Sequence, residues 1–65
     1  MTIAENIRRL REAKGMKQEE LAAALGVTAS AVSLWESGKR SMNVKQADKL
    51  AQVLGVTLND LMREE

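Results

Sequence analysis

Apolar residues recur along the chain at three- and four-residue steps, in short stretches that are closed by the glycines Gly15, Gly26, Gly38 and Gly55. Steps of three and four residues are the pattern of an amphipathic α-helix, and glycine commonly ends a helix because it adopts the left-handed backbone conformation without strain. The chain has no proline, and no stretch alternates apolar and polar residues as a strand does. These features predict a chain of short helices without a sheet.

Residues that cap helix N-termini mark where the predicted helices begin. Thr2 and Thr57 are each followed three residues later by an acidic residue, which is the pattern of a capping box. Thr28 and Asn43 are also residue types that favour the N-cap position. Together with the apolar spacing, these caps predict five helices at about residues 3–14, 18–25, 29–37, 44–54 and 58–63.

Each predicted helix presents one apolar face, and the connections between helices are short. We therefore expect one compact all-α domain over residues 1–65. The residues expected to be buried are Ile3, Ile7 and Leu10 of the first helix, Leu21, Ala22 and Leu25 of the second, Val32 and Trp35 of the third, Ala47, Leu50, Ala51 and Leu54 of the fourth, and Leu58, Leu61 and Met62 of the fifth.

Several kinds of chemistry are excluded by residues that the chain lacks. Among its 65 residues there is no cysteine and no histidine, which excludes disulfides, thiolate nucleophiles, the usual zinc sites and imidazole acid–base catalysis. The Gly-Lys pair at 38–39 is no phosphate-binding P-loop, because Ser33 and Arg40 stand where that motif needs glycine and Ser or Thr. Glu19 and Glu20 project in different directions from a helix and form no catalytic pair. We expect no enzyme activity, no metal site and no cofactor.

The sequence gives no indication of a membrane location. The chain begins without the basic segment and apolar run of a signal peptide, and no apolar run approaches the ~20 residues that span a membrane. We expect a small cytoplasmic protein. Because the core of so short a chain stabilises the fold by only roughly 3–5 kcal/mol, oligomerisation is also expected.

Positive charge is concentrated in two zones, although the formal net charge is only +1. The basic residues are Arg8, Arg9, Arg11, Lys14 and Lys17 in the first zone, and Lys39, Arg40, Lys45 and Lys49 in the second. Such zones are typical of a nucleic-acid-binding surface if folding brings them together, but they are also typical of solvated helix faces. Charge alone leaves both interpretations open.

Five residues in and around the second and third predicted helices have the spacing of a helix-turn-helix unit. Ala22 is small enough to let the next helix cross closely, and Gly26 permits the short turn. Val32 and Trp35 lie three residues apart and share the inward face of the third helix, with Gln18 at the start of the second. Trp35 is therefore expected in the core. The rival interpretation, an exposed ring on which a base stacks, fits poorly with the position of Trp35 on the Val32 face.

The chain resembles the phage-repressor and Cro-type helix-turn-helix domains, the XRE family. The segments "IRRLREAKGMKQEELAAALGVTASAVSLWESGKR" and "ADKLAQVLGVTLNDLM" carry the resemblance, together with the Trp-Glu-x-Gly-Lys ending of the third helix. The resemblance implies a five-helix, lambda-repressor-like DNA-binding domain whose third helix, residues 29–37, lies in the major groove. It further implies a transcriptional repressor that binds a partly palindromic operator as a dimer, with half-sites about one helical turn apart.

The resemblance places base contacts on the third helix, here called the reader helix. Its positions 29, 30 and 34 correspond to family positions that commonly touch base edges. Without a long amide or guanidinium group there, the chain lacks the bidentate contacts that best distinguish guanine and adenine, so we expect modest direct readout and more weight on DNA shape. Ala29 and Ser30 also suit the first turn of any helix, so the alternative is that they only support helix formation. The candidate base-contact residues are Thr28, Ala29, Ser30, Ser33 and Leu34.

Phosphate contacts are expected on both sides of the reader helix. Gln18 matches a family position that binds a DNA phosphate and helps to fix the reader helix, and Lys17 stands where Ser or Thr often caps the second helix. The loop after the reader helix adds the candidates Lys39, Arg40, Ser41 and Asn43. Arg8, Arg9 and Lys14 are weaker candidates, because the first helix is expected to lie mostly behind the reader helix.

The resemblance also implies two structural features. Glu36 is expected to form an ion pair with Arg11 that joins the first and third helices. A dimer interface is expected at Val56, Leu58 and Met62, although the same apolar patch suits a foreign protein partner. Two departures from the family pattern fall in and before the fourth helix. Met42 replaces a common proline, and Asp48 an often apolar residue, so this helix is expected to pack less fully or to expose an acid.

Three classes of function fit these observations. The first is a sequence-specific, double-stranded DNA-binding transcriptional regulator. The second is an antitoxin-like or other protein-interaction module that retains the helix-turn-helix fold and binds a toxin or another regulator. The third is a purely structural helical domain. The basic zones that flank the predicted reader helix favour the first over the third.

Overall fold

The computed structural model describes residues 2–63, which form five helices and no strand. The helices are α1 (Ile3–Ala13), α2 (Gln18–Leu25), α3 (Ala29–Glu36), α4 (Val44–Leu54) and α5 (Leu58–Met62). The predicted five-helix fold is thereby confirmed. The predicted domain span also includes Met1, Glu64 and Glu65, which lie outside the described residues.

Three helices end one residue earlier than predicted. Lys14 and Ser37 are the C-caps of α1 and α3, with ψ of −3° and −6°. Each is followed by a glycine with positive φ, which turns the chain away from the helix. Arg63 is extended, so α5 ends before it.

Side-chain hydrogen bonds begin four of the helices where the caps were predicted. The hydroxyl groups of Thr2, Thr28 and Thr57 accept the backbone N–H three residues ahead, and the Asn43 side chain does the same. The start of α2 differs, because the lysine ammonium at position 17 has no acceptor. Only the Lys17 N–H is satisfied, by the Glu20 carboxylate at 2.8 Å. The first turn of α2 therefore keeps N–H groups without a side-chain cap.

The core lies where α3 packs against α1 and α2, and α4 and α5 close it from the other side. Val32, Trp35 and Ala22 are buried, and Gly26 adopts the left-handed conformation, with φ of 71°, that the turn before α3 requires. The prediction that Trp35 belongs to the core is confirmed. The buried hydrophobic residues are Ile7, Leu21, Ala22, Leu25, Val32, Trp35, Ala47, Leu50, Ala51, Leu54 and Leu61.

Some predicted core positions are less buried than expected. Ile3, Leu10 and Leu58 are only half-buried, and Met62 is exposed because it lies at the end of the short α5. The two departures from the family pattern, one before α4 and one within it, are accommodated separately. Asp48 lies on the exposed face, whereas Met42 is half-buried and packs against the core.

A buried polar side chain, which the sequence did not single out, joins the two ends of the described chain. The amide of Asn6 donates to the carbonyl oxygens of Leu61, at 3.2 Å, and of Arg63. Carbonyl groups at a helix C-terminus have no partner within the helix, so this contact satisfies them and fixes α5 against α1. Across residues 2–63, no helix is both long and apolar enough to cross a membrane.

Candidate nucleic-acid interface

The two faces of α3 differ in size and polarity. Val32 and Trp35 point into the core, whereas Ser30, Ser33 and Leu34 are exposed. With 3.6 residues per turn, Ser37 continues the stripe that these three exposed residues begin. Its hydroxyl donates to the Leu34 carbonyl oxygen at 3.1 Å. The outer face of α3 is therefore small, uncharged and convex.

The structure moves two of the predicted base-contact residues away from the centre of this face. Ala29 was expected on the outward face, but it is half-buried and packs against the core. Thr28 is exposed, but its hydroxyl oxygen caps the helix by accepting the Ala31 N–H at 3.1 Å. Ser37, in contrast, lies on this face but is not among the base-contact residues predicted from the sequence. Its position seven residues after Ser30, two turns along the same face, is the signal that could have found it.

Arg11 and Glu36 meet in a bidentate ion pair. Arg11 Nε donates to Glu36 Oε2 at 2.6 Å and Nη2 donates to Oε1 at 3.1 Å. The two side chains are 11% and 4% exposed. The hydrogen bond to Glu36 raises the pKa of Arg11 above its ordinary value, so the guanidinium stays charged. Because the negative charge of Glu36 is neutralised here, it does not face an approaching phosphate.

This ion pair also positions the start of α2. Arg11 Nη1 donates to the Met16 carbonyl oxygen at 2.7 Å, just before α2 begins. Gln18 Nε2 donates to Glu36 Oε1 at 3.1 Å. An amide nitrogen carries two hydrogens, so the half-buried Gln18 side chain is oriented by Glu36 and retains a second donor. One carboxylate thus joins α1, α2 and α3.

The loop from residue 37 to 43 connects the C-terminal end of α3 to α4. Its attachment is tight, because the N–H groups of Lys39 and Arg40 both donate to the Leu34 carbonyl oxygen, at 3.1 and 3.3 Å. The side chains of Lys39, Arg40 and Ser41 are exposed. Asn43 is exposed too, but its Oδ1 caps α4 by accepting the Gln46 N–H at 2.8 Å. Towards a phosphate, Asn43 can therefore offer its Nδ2 as a donor.

A polar cleft of about 330 Å³ separates the outer face of α3 from α1 and the start of α2. It is lined by Arg8, Arg11, Gln18, Ser33, Glu36 and Ser37. The sequence placed Arg8 behind the reader helix, but the cleft brings it beside Ser33 and Ser37. Only the packing of α1 against α3 reveals this, because Arg8 and Ser33 are far apart in sequence.

A family model described as helix-turn-helix matches residues 7–61. The chain belongs to the helix-turn-helix family. This confirms the family predicted from the residue pattern, and within the domain the helix-turn-helix unit consists of α2, the turn at Gly26 and α3.

A curated relative of this helix-turn-helix domain is a transcriptional activator. The chain is 35% identical over 65 residues to the HTH-type transcriptional activator BcrR of Enterococcus faecalis. The match covers 100% of this chain and 32% of the length of BcrR. What the two proteins share is therefore the helix-turn-helix domain.

Solved structures of regulators have the same fold. The P22 c2 repressor protein, in complex with synthetic operator 9T, superposes with a TM-score of 0.92 at 25% identity, over 100% of this chain and 98% of the repressor. The restriction-modification controller protein C.AhdI from Aeromonas hydrophila gives a TM-score of 0.88 at 35% identity, over 92% and 91% of the two chains. These matches confirm the five-helix, repressor-like fold.

An enzyme also contains this fold, but only as a part. Hydroxypropylphosphonic acid epoxidase from S. wedmorenis matches with a TM-score of 0.88 at 32% identity, over 94% of this chain and 32% of the epoxidase. The near-complete matches are to regulators, as in the P22 c2 repressor and C.AhdI. The comparisons therefore confirm the prediction that this helix-turn-helix domain is not an enzyme.

The predicted dimer residues of the domain differ in exposure. Val56 and Leu58 are half-buried and pack against the core, so only part of each side chain reaches the surface. Met62 is 39% exposed. It borders an open groove of about 660 Å³ that is also lined by Ile3 and Met42. This end of the molecule thus carries apolar surface that a partner could cover.

Proposed function

We propose that this helix-turn-helix domain is a sequence-specific, double-stranded DNA-binding transcriptional regulator whose α3 lies in the major groove. The observation that carries the proposal is the contrast between the buried Val32–Trp35 face and the small, exposed face of Ser30, Ser33 and Leu34. A helix held from behind and narrow in front suits the major groove, which is ~12 Å wide. A DNA-binding role implies a cytoplasmic location.

Phosphate contacts on both sides of α3 would fix its register on the duplex. Lys17 and Gln18 provide them at the start of α2, where N–H groups without a side-chain cap add to the attraction for an anion. On the other side, the exposed loop residues Lys39, Arg40, Ser41 and Asn43 do the same. Contacts of this kind position the protein and carry no sequence information directly.

Sequence readout is expected to be modest. Ser30 and Ser33 offer hydroxyl groups, and the exposed Leu34 offers apolar contact to a thymine methyl group. Thr28 and Ala29 contribute at the edge of the face, each with only part of its side chain. DNA shape and water-mediated contacts then carry a larger share of the specificity.

The proposal includes a homodimer on a partly palindromic operator, with the contact at Val56, Leu58 and Met62. The apolar surface around Met62 supports a dimer, and the likeness to the P22 c2 repressor on its operator supports repression. The relative BcrR, in contrast, is a transcriptional activator. A reporter gene placed behind the selected operator decides the sign, because a repressor lowers its expression and an activator raises it.

Selection from random double-stranded DNA at about 0.15 M salt tests this function, because non-specific phosphate binding is weak there. The expected result is a two-fold symmetric motif with few guanine positions. A matched negative control is Leu34→Glu, which puts a negative charge on the outer face of α3 and leaves the core intact. A tight guanine-rich consensus would contradict the proposed readout, and no enrichment by folded protein would contradict DNA binding itself.

The exposed Met62 and its groove favour a second candidate function, a protein-interaction module that binds a toxin or another regulator. The two candidates separate by oligomeric state and selection together. Equilibrium sedimentation that shows a dimer, with a symmetric motif selected, supports the regulator. A monomer at high micromolar concentration that selects no motif supports the module.

A further inference from the structure

The polar cleft beside α3 is lined by two charges that neutralise each other within the cleft and by a third that does not belong to that pair. Arg11 and Glu36 neutralise each other in the bidentate pair, and Glu36 also accepts the Gln18 amide. Neither charge is therefore available to a ligand. Arg8 is the remaining charged residue of the cleft lining, so the cleft carries the sign of Arg8, which is positive.

Arg8 is held only weakly in its present position. Its Nε lies 3.6 Å from Oε2 of Glu12, one turn further along α1, and the two side chains are 66% and 55% exposed. Exposed ion pairs of this kind contribute ~0–1 kcal/mol. The guanidinium can therefore turn from Glu12 towards the cleft at little cost.

The donors around the cleft suit an oxyanion. Arg8 supplies a positive charge and a planar fork of N–H donors, which match the geometry of phosphate oxygens. Gln18 retains a second amide hydrogen, and Ser33 has an exposed hydroxyl group. The Ser37 hydroxyl already donates its hydrogen to the Leu34 carbonyl oxygen. It therefore offers an oxyanion no hydrogen-bond donor, only an acceptor oxygen.

We propose that Arg8 binds a phosphate of the DNA backbone in this cleft, together with Gln18 and Ser33. The inference rests on the proposed DNA-binding function and extends it. It makes α1 part of the interface, with a contact at its edge in addition to those of α2 and the loop at 37–43. Glu12 competes with the phosphate for Arg8.

The salt dependence of DNA binding tests the proposal directly. Each neutralised phosphate contributes ~0.9 to the slope of log affinity against log salt, so Arg8→Gln should flatten the slope by about one unit. At ~0.1 M salt this corresponds to an affinity about eight-fold lower, equally for the selected operator and for other sequences. The matched control is Arg9→Gln, the same charge change on the next residue of α1, which is exposed and does not line the cleft. Its slope should stay at the parent value.

A second variant separates a specific contact from a general loss of positive charge. Glu12→Gln releases Arg8 and should strengthen binding about two- to three-fold, an exposed-pair effect. In the Arg8→Gln background, the same change should have a smaller effect. At one backbone phosphate per half-site, ethylation should weaken binding by the parent protein more than it weakens binding by Arg8→Gln, which has already lost the charged contact there.

The outcomes distinguish failure of this proposal from failure of the proposed function. Loss of DNA binding in every protein, the parent included, overturns both. DNA binding with equal slopes for Arg8→Gln, Arg9→Gln and the parent overturns the Arg8 contact alone. Inorganic phosphate, titrated without DNA, is expected to bind only in the millimolar range. Micromolar binding that Arg8→Gln abolishes, with an unchanged DNA slope, would make the cleft a site for a free anion and would overturn the proposal.

Discussion

The inner and outer faces of α3 differ in burial, although both belong to a single eight-residue helix. On the inner side Val32 and Trp35 are buried, and Glu36 makes three side-chain hydrogen bonds. On the outer side Ser30, Ser33 and Leu34 are exposed. The inner face therefore fixes the position of α3 in the domain. The outer face determines which groups of a ligand α3 can contact. Changes to the inner face should cost stability, and changes to the outer face should cost binding.

The largest loss is expected at Trp35. Trp35→Ala removes the largest core side chain and should destabilise the domain by ~3–5 kcal/mol, about as much as a core of this size provides. The expected result is a largely unfolded protein, measured by urea denaturation followed by circular dichroism. The indole Nε1 of Trp35 is buried and has no hydrogen-bond partner among residues 2–63. Trp35→Phe removes that unsatisfied group and should lose much less stability. A cooperatively folded Trp35→Ala with near-parental stability would contradict this account.

Glu36 should rank next. Glu36→Gln leaves the guanidinium of Arg11 buried without a counter-charge and should cost ~3 kcal/mol or more. The measurement is the free energy of unfolding, compared with Glu12→Gln, an exposed acid that should change it little. Replacing both partners, as in Arg11→Leu with Glu36→Leu, should recover part of the loss. If Glu36→Gln melted no earlier than the parent and bound DNA more tightly, the pair would not have this structural role.

Two neighbouring apolar residues give the most direct test of the comparison. Val32→Ala should lower the free energy of unfolding by ~1.5–3 kcal/mol, because Val32 is fully buried. Leu34→Ala should change it by no more than about 0.5 kcal/mol, as an exposed side chain is removed. DNA affinity should be measured at a temperature where both variants are folded. Leu34→Ala should then lower it a few-fold, and Val32→Ala should leave it unchanged. Equal losses of affinity in the two variants would show that the faces are not separable.

The part of the interface that could be predicted from sequence is the part set by local signals. N-caps, glycine ends and apolar steps lie within a few residues of one another, so Thr28, Gly26, Val32 and Trp35 place α3 and its inner face correctly. The pairing of Arg11 with Glu36 is a long-range contact. It was implied only by the resemblance to repressor domains.

The remaining features depend on how the helices pack, which local signals do not determine. Ala29 faces partly into the core because α3 lies close to its neighbours, and Arg8 lies beside Ser33 because of where α1 crosses α3. Asn6 reads in sequence as an ordinary polar position on α1, yet it is buried against the end of α5. Each of these became visible only when two helices were placed together.

The smallest effect is expected at the N-caps of α1 and α5. Hydrogen bonds from the Thr2 backbone N–H and then its hydroxyl lower the pKa of Glu5, and the Thr57 side chain and then its backbone lower the pKa of Asp60. A carboxyl group with a lower pKa in the folded state stabilises the fold above its unfolded pKa, and this stabilisation is lost as the pH falls through the folded value.

The melting temperature should therefore fall below about pH 4.5 as these two carboxylates take up protons. Glu5→Gln with Asp60→Asn keeps a side-chain oxygen at each cap but removes the proton-binding site, so its melting temperature should fall less steeply between pH 5 and 3. Glu19→Gln, an exposed acid outside these caps, is the matched control and should follow the parent. Because both carboxylates are exposed, the shift should be small beside that of Glu36→Gln. A fall in the double variant as steep as in the parent would assign the acid sensitivity to groups other than these two carboxylates.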